Sequence, residues 1–208
     1  MKKITLLIAL VVFSLQSNSQ VLISESFDTS LSWTVAHTSG TSTNAGWTRV
    51  TEGTFPEIAP FMGAGMARFN SYNIANNNSY SLTSPAITMT GGSYRVTFSM
   101  YRDGDYPTEP DRVRVYVNTV AASAGGTLLG TINRSMALAP VVEAAGWYTY
   151  SFDIPGNPTG VRYISLLGTS GYGSNTFIDE VKVTTVLNND LLLSSIAMDD
   201  IISGAGSI

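Results

Sequence analysis

In this chain apolar residues return at every second position, segment after segment, and that period selects half-buried β-strands over amphipathic helices. Residues 94–100 read Tyr-Arg-Val-Thr-Phe-Ser-Met, with Tyr94, Val96, Phe98 and Met100 on one face. Residues 111–118 place Val113, Val115 and Val117 inward and Arg112, Arg114 and Tyr116 outward. Residues 147–154 alternate Tyr148, Tyr150, Phe152 and Ile154 against Thr149, Ser151 and Asp153. The run 161–167 is mostly apolar, as a strand covered on both faces or central to a sandwich requires, and 177–183 alternates again. Weaker strands are expected at 21–27, 33–36, 46–50, 66–69, 86–90 and 128–132. Gly91-Gly92, Asp103-Gly104-Asp105, Gly125-Gly126, Pro155-Gly156-Asn157-Pro158 and Gly171-Tyr172-Gly173 punctuate them as turns. Many short strands with such turns predict an all-β sandwich of two antiparallel sheets.

The two ends of the chain read differently. Met1-Lys2-Lys3, an apolar stretch over 4–15 and the small residues Ser17 and Ser19 form a signal-peptide pattern, with residues 1–19 removed on export. The apolar stretch is too short for a spanning helix, which needs about 20 residues. The sandwich is expected over 20–186, and 187–208 form a linker followed by an apolar segment. That segment starts a further module or packs back on the domain as a short tail. Loss of Lys2 and Lys3 leaves 9 basic against 15 acidic residues, a net charge of −6. Such a chain has no basic footprint for nucleic acid and no attraction to anionic membranes. An exported domain without cysteine lacks disulfides, which leaves a bound metal ion as an alternative brace.

Few residues point to catalysis. His37 is the sole histidine and sits beside a Ser/Thr run without a nucleophile elbow, so it reads as a solvated loop residue. Gly63-Ala64-Gly65 lacks the Lys-Ser/Thr of a phosphate loop and reads as a turn. Asp103, Asp105, Glu109 and Asp111 concentrate four carboxylates in one loop. They suit Ca²⁺, or a solvated loop neutralised by the flanking Arg102 and Arg112; the two prolines favour the second. Tyr101, Tyr106, Tyr172 and Tyr72 lie in or beside Gly/Asn/Pro loops, where a ring can meet a sugar face or a partner's pocket. Trp33, Trp47 and Trp147 open or lie within strand patterns and are expected in the core.

The ordered set Glu25-Ser26-Phe27-Asp28, Trp33, Leu82-Thr83-Ser84-Pro85-Ala86-Ile87, the alternating strands above and the closing Phe177-Ile178-Asp179-Glu180-Val181-Lys182-Val183 resembles the choice-of-anchor J or cleaved-adhesin domain of secreted bacterial proteins, itself similar to the MAM domain. The resemblance spans about residues 24–184. It implies a jelly roll whose first and last strands lie together, and a non-catalytic module of a larger secreted or cell-surface protein. It also implies a cation joining the ends, with Asp28 and Asp179 as matching ligands and Glu25 and Glu180 beside them. Like charges so placed repel unless a cation or a donor intervenes. The expectation is therefore a Ca²⁺-stabilised adhesion or ligand-binding module that meets an extracellular protein or glycan through Tyr101, Asp103, Asp105, Tyr106 and Tyr172. The alternatives are a carbohydrate-binding accessory domain of a secreted peptidase or glycan-active enzyme, and a spacer.

Overall fold

The computed structural model describes residues 19–186, so the expected leader (but for Ser19) and the expected extension 187–208 lie outside the described residues. In chain order the strands are β1 (Val21–Glu25), β2 (Thr34–Ser39), β3 (Trp47–Val50), β4 (Met66–Phe69), β5 (Ser79–Thr83), β6 (Ile87–Thr90), β7 (Ser93–Arg102), β8 (Arg112–Asn118), β9 (Thr127–Asn133), β10 (Gly146–Ile154), β11 (Thr159–Thr169) and β12 (Thr176–Val186). Among the described residues the sole helical element is a 3-10 turn, Ser71–Asn73. No helix there is long and apolar enough to cross a membrane.

The strands form the expected jelly-roll sandwich of two antiparallel sheets. Sheet I runs β10-β7-β12-β4-β3, with β1 alongside β12; sheet II runs β2-β5-β11-β8-β9, with β6 alongside β11. The alternating apolar residues meet between them. Tyr94, Val96, Phe98 and Met100 of β7 face Val113, Val115 and Leu166 of sheet II in one continuous core, and all are buried. First and last strands pair, Ile23 opposite Val183 and Glu25 opposite Val181.

One irregularity positions a candidate site. Opposite β7, the register of β12 slips between Asp179 and Lys182, and Glu180 takes φ +53°. An extra residue of this kind is a β-bulge, which bends the strand and re-aims its side chains. Before the bulge β12 pairs with β4, and after it with β1, so Asp179 stands at the junction of three strands.

Three sequence expectations need correction. β5 was not apparent, because only Tyr80 and Leu82 of Ser-Tyr-Ser-Leu-Thr are apolar. Its outward hydroxyls instead pair with β11, Ser79 with Thr169 at 2.9 Å and Thr83 with Ser165 at 2.8 Å. His37 belongs to the edge strand β2 rather than a loop, its ring stacked on Tyr80 at 4.5 Å. Trp33 and Trp47 are buried as expected, but Trp147 lies half-buried against Tyr101 and Phe61 outside the core.

Candidate functional site

Four connections meet at one end of the sandwich: β3–β4, β4–β5, β7–β8 and β11–β12. The last three enclose a depression of about 570 Å³, lined by Tyr72, Tyr106 and Tyr172 with Asn73, Asn76 and Glu109. Tyr106 and Tyr172 remain 48% and 61% exposed, a large apolar area to leave in water without a partner. Tyr72 stands edge-on to Tyr106 at 6.5 Å, and Phe55 stacks parallel on Tyr72 at 4.0 Å. The result is a cluster of aromatic rings beside amide and carboxylate groups. Flat apolar faces with a few polar groups at the rim match a pyranose, whose C–H face stacks while its hydroxyls hydrogen-bond.

The backbone beneath these rings is strained. Phe55, Tyr106 and Tyr172 have φ of +53°, +46° and +67°, the left-handed region where a Cβ crowds the following carbonyl. Each such residue costs about 1–2 kcal/mol relative to glycine, so aromatic side chains stand where stability alone favours glycine. In Gly171-Tyr172-Gly173 the flanking positions demand glycine for another reason: a Cβ on Gly173 would lie 2.3 Å from Asp111 Oδ2.

Buried polar groups hold the strained loops in place. Asp111 Oδ1 and Oδ2 accept the amides of Gly171 (2.6 Å) and Gly173 (3.1 Å), clamping the backbone on both sides of Tyr172. Ser170 Oγ accepts the Tyr172 amide at 2.9 Å. Arg134, wholly buried, donates to Asp103, to Asp111 Oδ2 at 3.4 Å and to the Tyr106 carbonyl at 3.1 Å. Burial pushes the carboxyls of Asp103 and Asp111 upward, while Arg134 draws them back toward the ionised form. Asn175 does for the other two rings what Asp111 does for Tyr172. It accepts the Tyr72 amide at 3.1 Å, and its own amides reach the carbonyls of Phe55 (2.7 Å) and Thr54 (2.8 Å).

This network overturns the solvated, arginine-balanced loop expected over 102–111. Asp103 and Asp111 are buried, and their cation is Arg134 from beyond β9. Arg102 continues the inward face of β7 and donates instead to Tyr150 Oη and to the carbonyls of Arg134, Ser135 and Leu138. Arg112 donates to the Pro110 carbonyl at 3.0 Å. Asp105 stays exposed, its amide donating to Asp103 Oδ1 at 2.9 Å. Arg134 and Asn175 escaped the sequence reading because nothing local marks a polar residue whose partners lie some 20 to 120 positions away.

The other expected residues fall in two places. Tyr101 packs edge-on to Trp147 at 5.6 Å, away from the depression, and burial raises its hydroxyl's pKa, aided by the charges of Asp103 and Asp105. Asp28, in the connection after β1, and Asp179, in β12, meet the same turn, residues 62–65. Asp28 accepts the Ala64 amide and Ser26 Oγ, and Asp179 Oδ2 accepts the Met62 amide at 3.1 Å. That turn needs Gly63, with φ +65° and no room for a Cβ beside Asp28. Burial, reinforced by the charge of Glu180, pushes Asp179 up to about 6 against its amide hydrogen bonds. Glu25 accepts the Phe27 amide and Ser32 Oγ, and Glu180 pairs with Lys182 at 2.7 Å. The four carboxylates therefore do not close into one cage: among the described residues no three His, Cys, Asp or Glu stand together as a metal site. Asp179 is buried and, among the described residues, joins no ion pair.

Together these features define a jelly-roll module with a rigidly held aromatic depression between its loops. No protein-family model and no curated protein matches the chain. Solved structures do. The K1 cleaved adhesin domain of Lys-gingipain from Porphyromonas gingivalis W83 aligns with a TM-score of 0.59 at 18% identity, over 82% of this chain and 100% of that one. The K3 domain of the same protein gives 0.59 at 18% identity, over 80% and 100%. TmCBM61, solved in complex with β-1,4-galactotriose, gives 0.50 at 17% identity, over 77% and 94%. The chain thus has a cleaved-adhesin-like fold, which carbohydrate-binding modules share.

Proposed function

We propose that this protein is a secreted, non-catalytic glycan-binding module whose sugar stacks in the Tyr72–Tyr106–Tyr172 depression. The observation that carries the proposal is the placement of exposed tyrosines on left-handed backbone, held there by the buried Arg134–Asp111 network. Strain maintained at such cost, in rings that add little to the core, has its rationale in a ligand. A concave site of this volume falls in the range of small-ligand pockets, whereas a protein interface spreads over about 800 Å² per partner. This favours a glycan over the adhesion to an extracellular protein that the sequence also allows. The test is calorimetric titration against a panel of soluble polysaccharides, with Tyr106→Ala and Tyr172→Ala as variants. Binding that falls about tenfold or more in each variant supports the assignment. Full-strength binding in both variants refutes it.

A Ca²⁺ ion belongs to the same proposal as a brace, held by Asp179 and Asp28 across the turn 62–65. It would supply charge neutralisation at the closure of the first and last strands, remote from the rings. The raised Asp179 carboxyl supports this role, because a neighbouring cation favours the ionised form that burial penalises.

A further inference from the structure

The outer face of sheet II is unlike the rest of the protein in charge. The chain has 15 acidic residues against 11 basic ones, yet β2, β5, β6, β8, β9 and β11 contain no Asp or Glu. Arg112 and Arg114 both point outward from β8, half-buried. Among the described residues neither joins an ion pair. Arg114 Nη2 donates to Thr169 Oγ1 at 3.2 Å, and its Nε is buried with no partner at all. Arg112 has only the Pro110 carbonyl. A guanidinium half-withdrawn from water with a single donor of its fork engaged is costly in isolation and suits a planar oxyanion.

The surroundings describe the molecule that would carry that anion. Arg114 and Tyr116 line a cleft of about 240 Å³ with Thr38, Ser79 and Ser123. Outward residues of one strand lie about 7 Å apart, so Arg112, Arg114 and Tyr116 form a track of cation, cation and ring. The track leads to the aromatic depression, since Arg112 bonds Pro110 and the next residue back, Glu109, lines that depression. Hydroxyls, a ring and two guanidinium groups along one extended path match a chain of sugars bearing acidic groups.

We propose that the outer face of sheet II binds the acidic groups of a polyanionic polysaccharide, Arg112 and Arg114 each taking a carboxylate or sulfate oxygen pair. This rests on the glycan-binding reading and extends it to a ligand class. Glu109 at the depression repels anions, so neutral residues of the polymer lie over the tyrosines and acidic ones over the arginines.

The experiment is affinity electrophoresis and calorimetry of the folded domain with polygalacturonate, with dextran sulfate and with a neutral galactan. Arg114→Gln and Arg112→Gln are compared with Arg114→Lys, which keeps the charge but loses the fork. The expected result is tighter binding of an acidic polymer than of the neutral one, weakened about tenfold or more by each Gln variant and less by Lys. Preference between the first two probes separates carboxylate from sulfate recognition. Binding that is tyrosine-dependent but equal for neutral and acidic polymers, or unmoved by Arg114→Gln, overturns this inference and leaves the glycan site standing. Arginine-dependent binding of acidic polymers that ignores Tyr106→Ala supports it and refutes the tyrosine site. Binding of poly-glutamate in place of every polysaccharide overturns it in favour of an acidic protein partner. No binding of any probe overturns both readings.

Discussion

Replacing Tyr172 by glycine and by alanine separates the strain argument from every other consequence of losing the ring. Both substitutions remove the same aromatic contacts, so that loss cancels between them. Alanine retains a Cβ at φ +67° and keeps the left-handed penalty of about 1–2 kcal/mol, which glycine escapes. Glycine loses about 0.5–1 kcal/mol through the greater freedom of its unfolded chain. Tyr172→Gly should therefore be the more stable by about 0.5–1 kcal/mol, a melting temperature higher by about 1–4 °C for a domain of this size. At Ser151, exposed on β10, the order should reverse, with alanine the more stable. Both Tyr172 variants should lose glycan affinity alike. Calorimetric melting of the four variants is the assay. An alanine variant at Tyr172 more stable than its glycine counterpart by about 0.5–1 kcal/mol, the order expected at Ser151, would mean that the position carries no strain, and the reasoning from strain to ligand would fail.

The remaining predictions concern the supporting network and the strand junction. Arg134→Gln should lower stability by about 3–5 kcal/mol in urea denaturation, because Asp103 and Asp111 lose their buried cation. In chelator, Asp179 binds its proton more tightly folded than unfolded, so its contribution is fullest below about pH 4 and is lost as pH rises through about 6. The difference is about 2–3 kcal/mol, and Asp179→Asn should flatten the stability profile across that window in pH-dependent urea melts. Saturating Ca²⁺, at a hundredfold over its Kd, should add about 3 kcal/mol to the wild type and much less to Asp179→Asn, read as a shift in melting temperature; no shift would dismiss the brace.

Strands were legible where both halves of the pattern were strong. β7, β8 and β10 alternate apolar with polar residues, and their inward sets, Tyr148 excepted, are found in or packed against the core. β5 was hidden because its outward side chains are small hydroxyls satisfied by β11, a pairing that local composition cannot express. Tyr106 and Tyr172 could be picked out because a ring in a glycine-rich turn lacks a core to enter. Tyr101 looked equivalent in sequence yet is the last outward residue of a long strand, where Trp147 covers it. The acidic loop was misread for the opposite reason. Its neighbours in sequence are arginines, but charge neutrality is reached across the fold, through Arg134.

Ring resonances of the tyrosines, followed by NMR as a bound polysaccharide or its oligosaccharide is titrated in, test the central claim most directly. The account predicts that Tyr72, Tyr106 and Tyr172 shift together with one affinity, while Tyr94, buried at the far end of β7, does not. Saturable binding that leaves those three rings unshifted would contradict it.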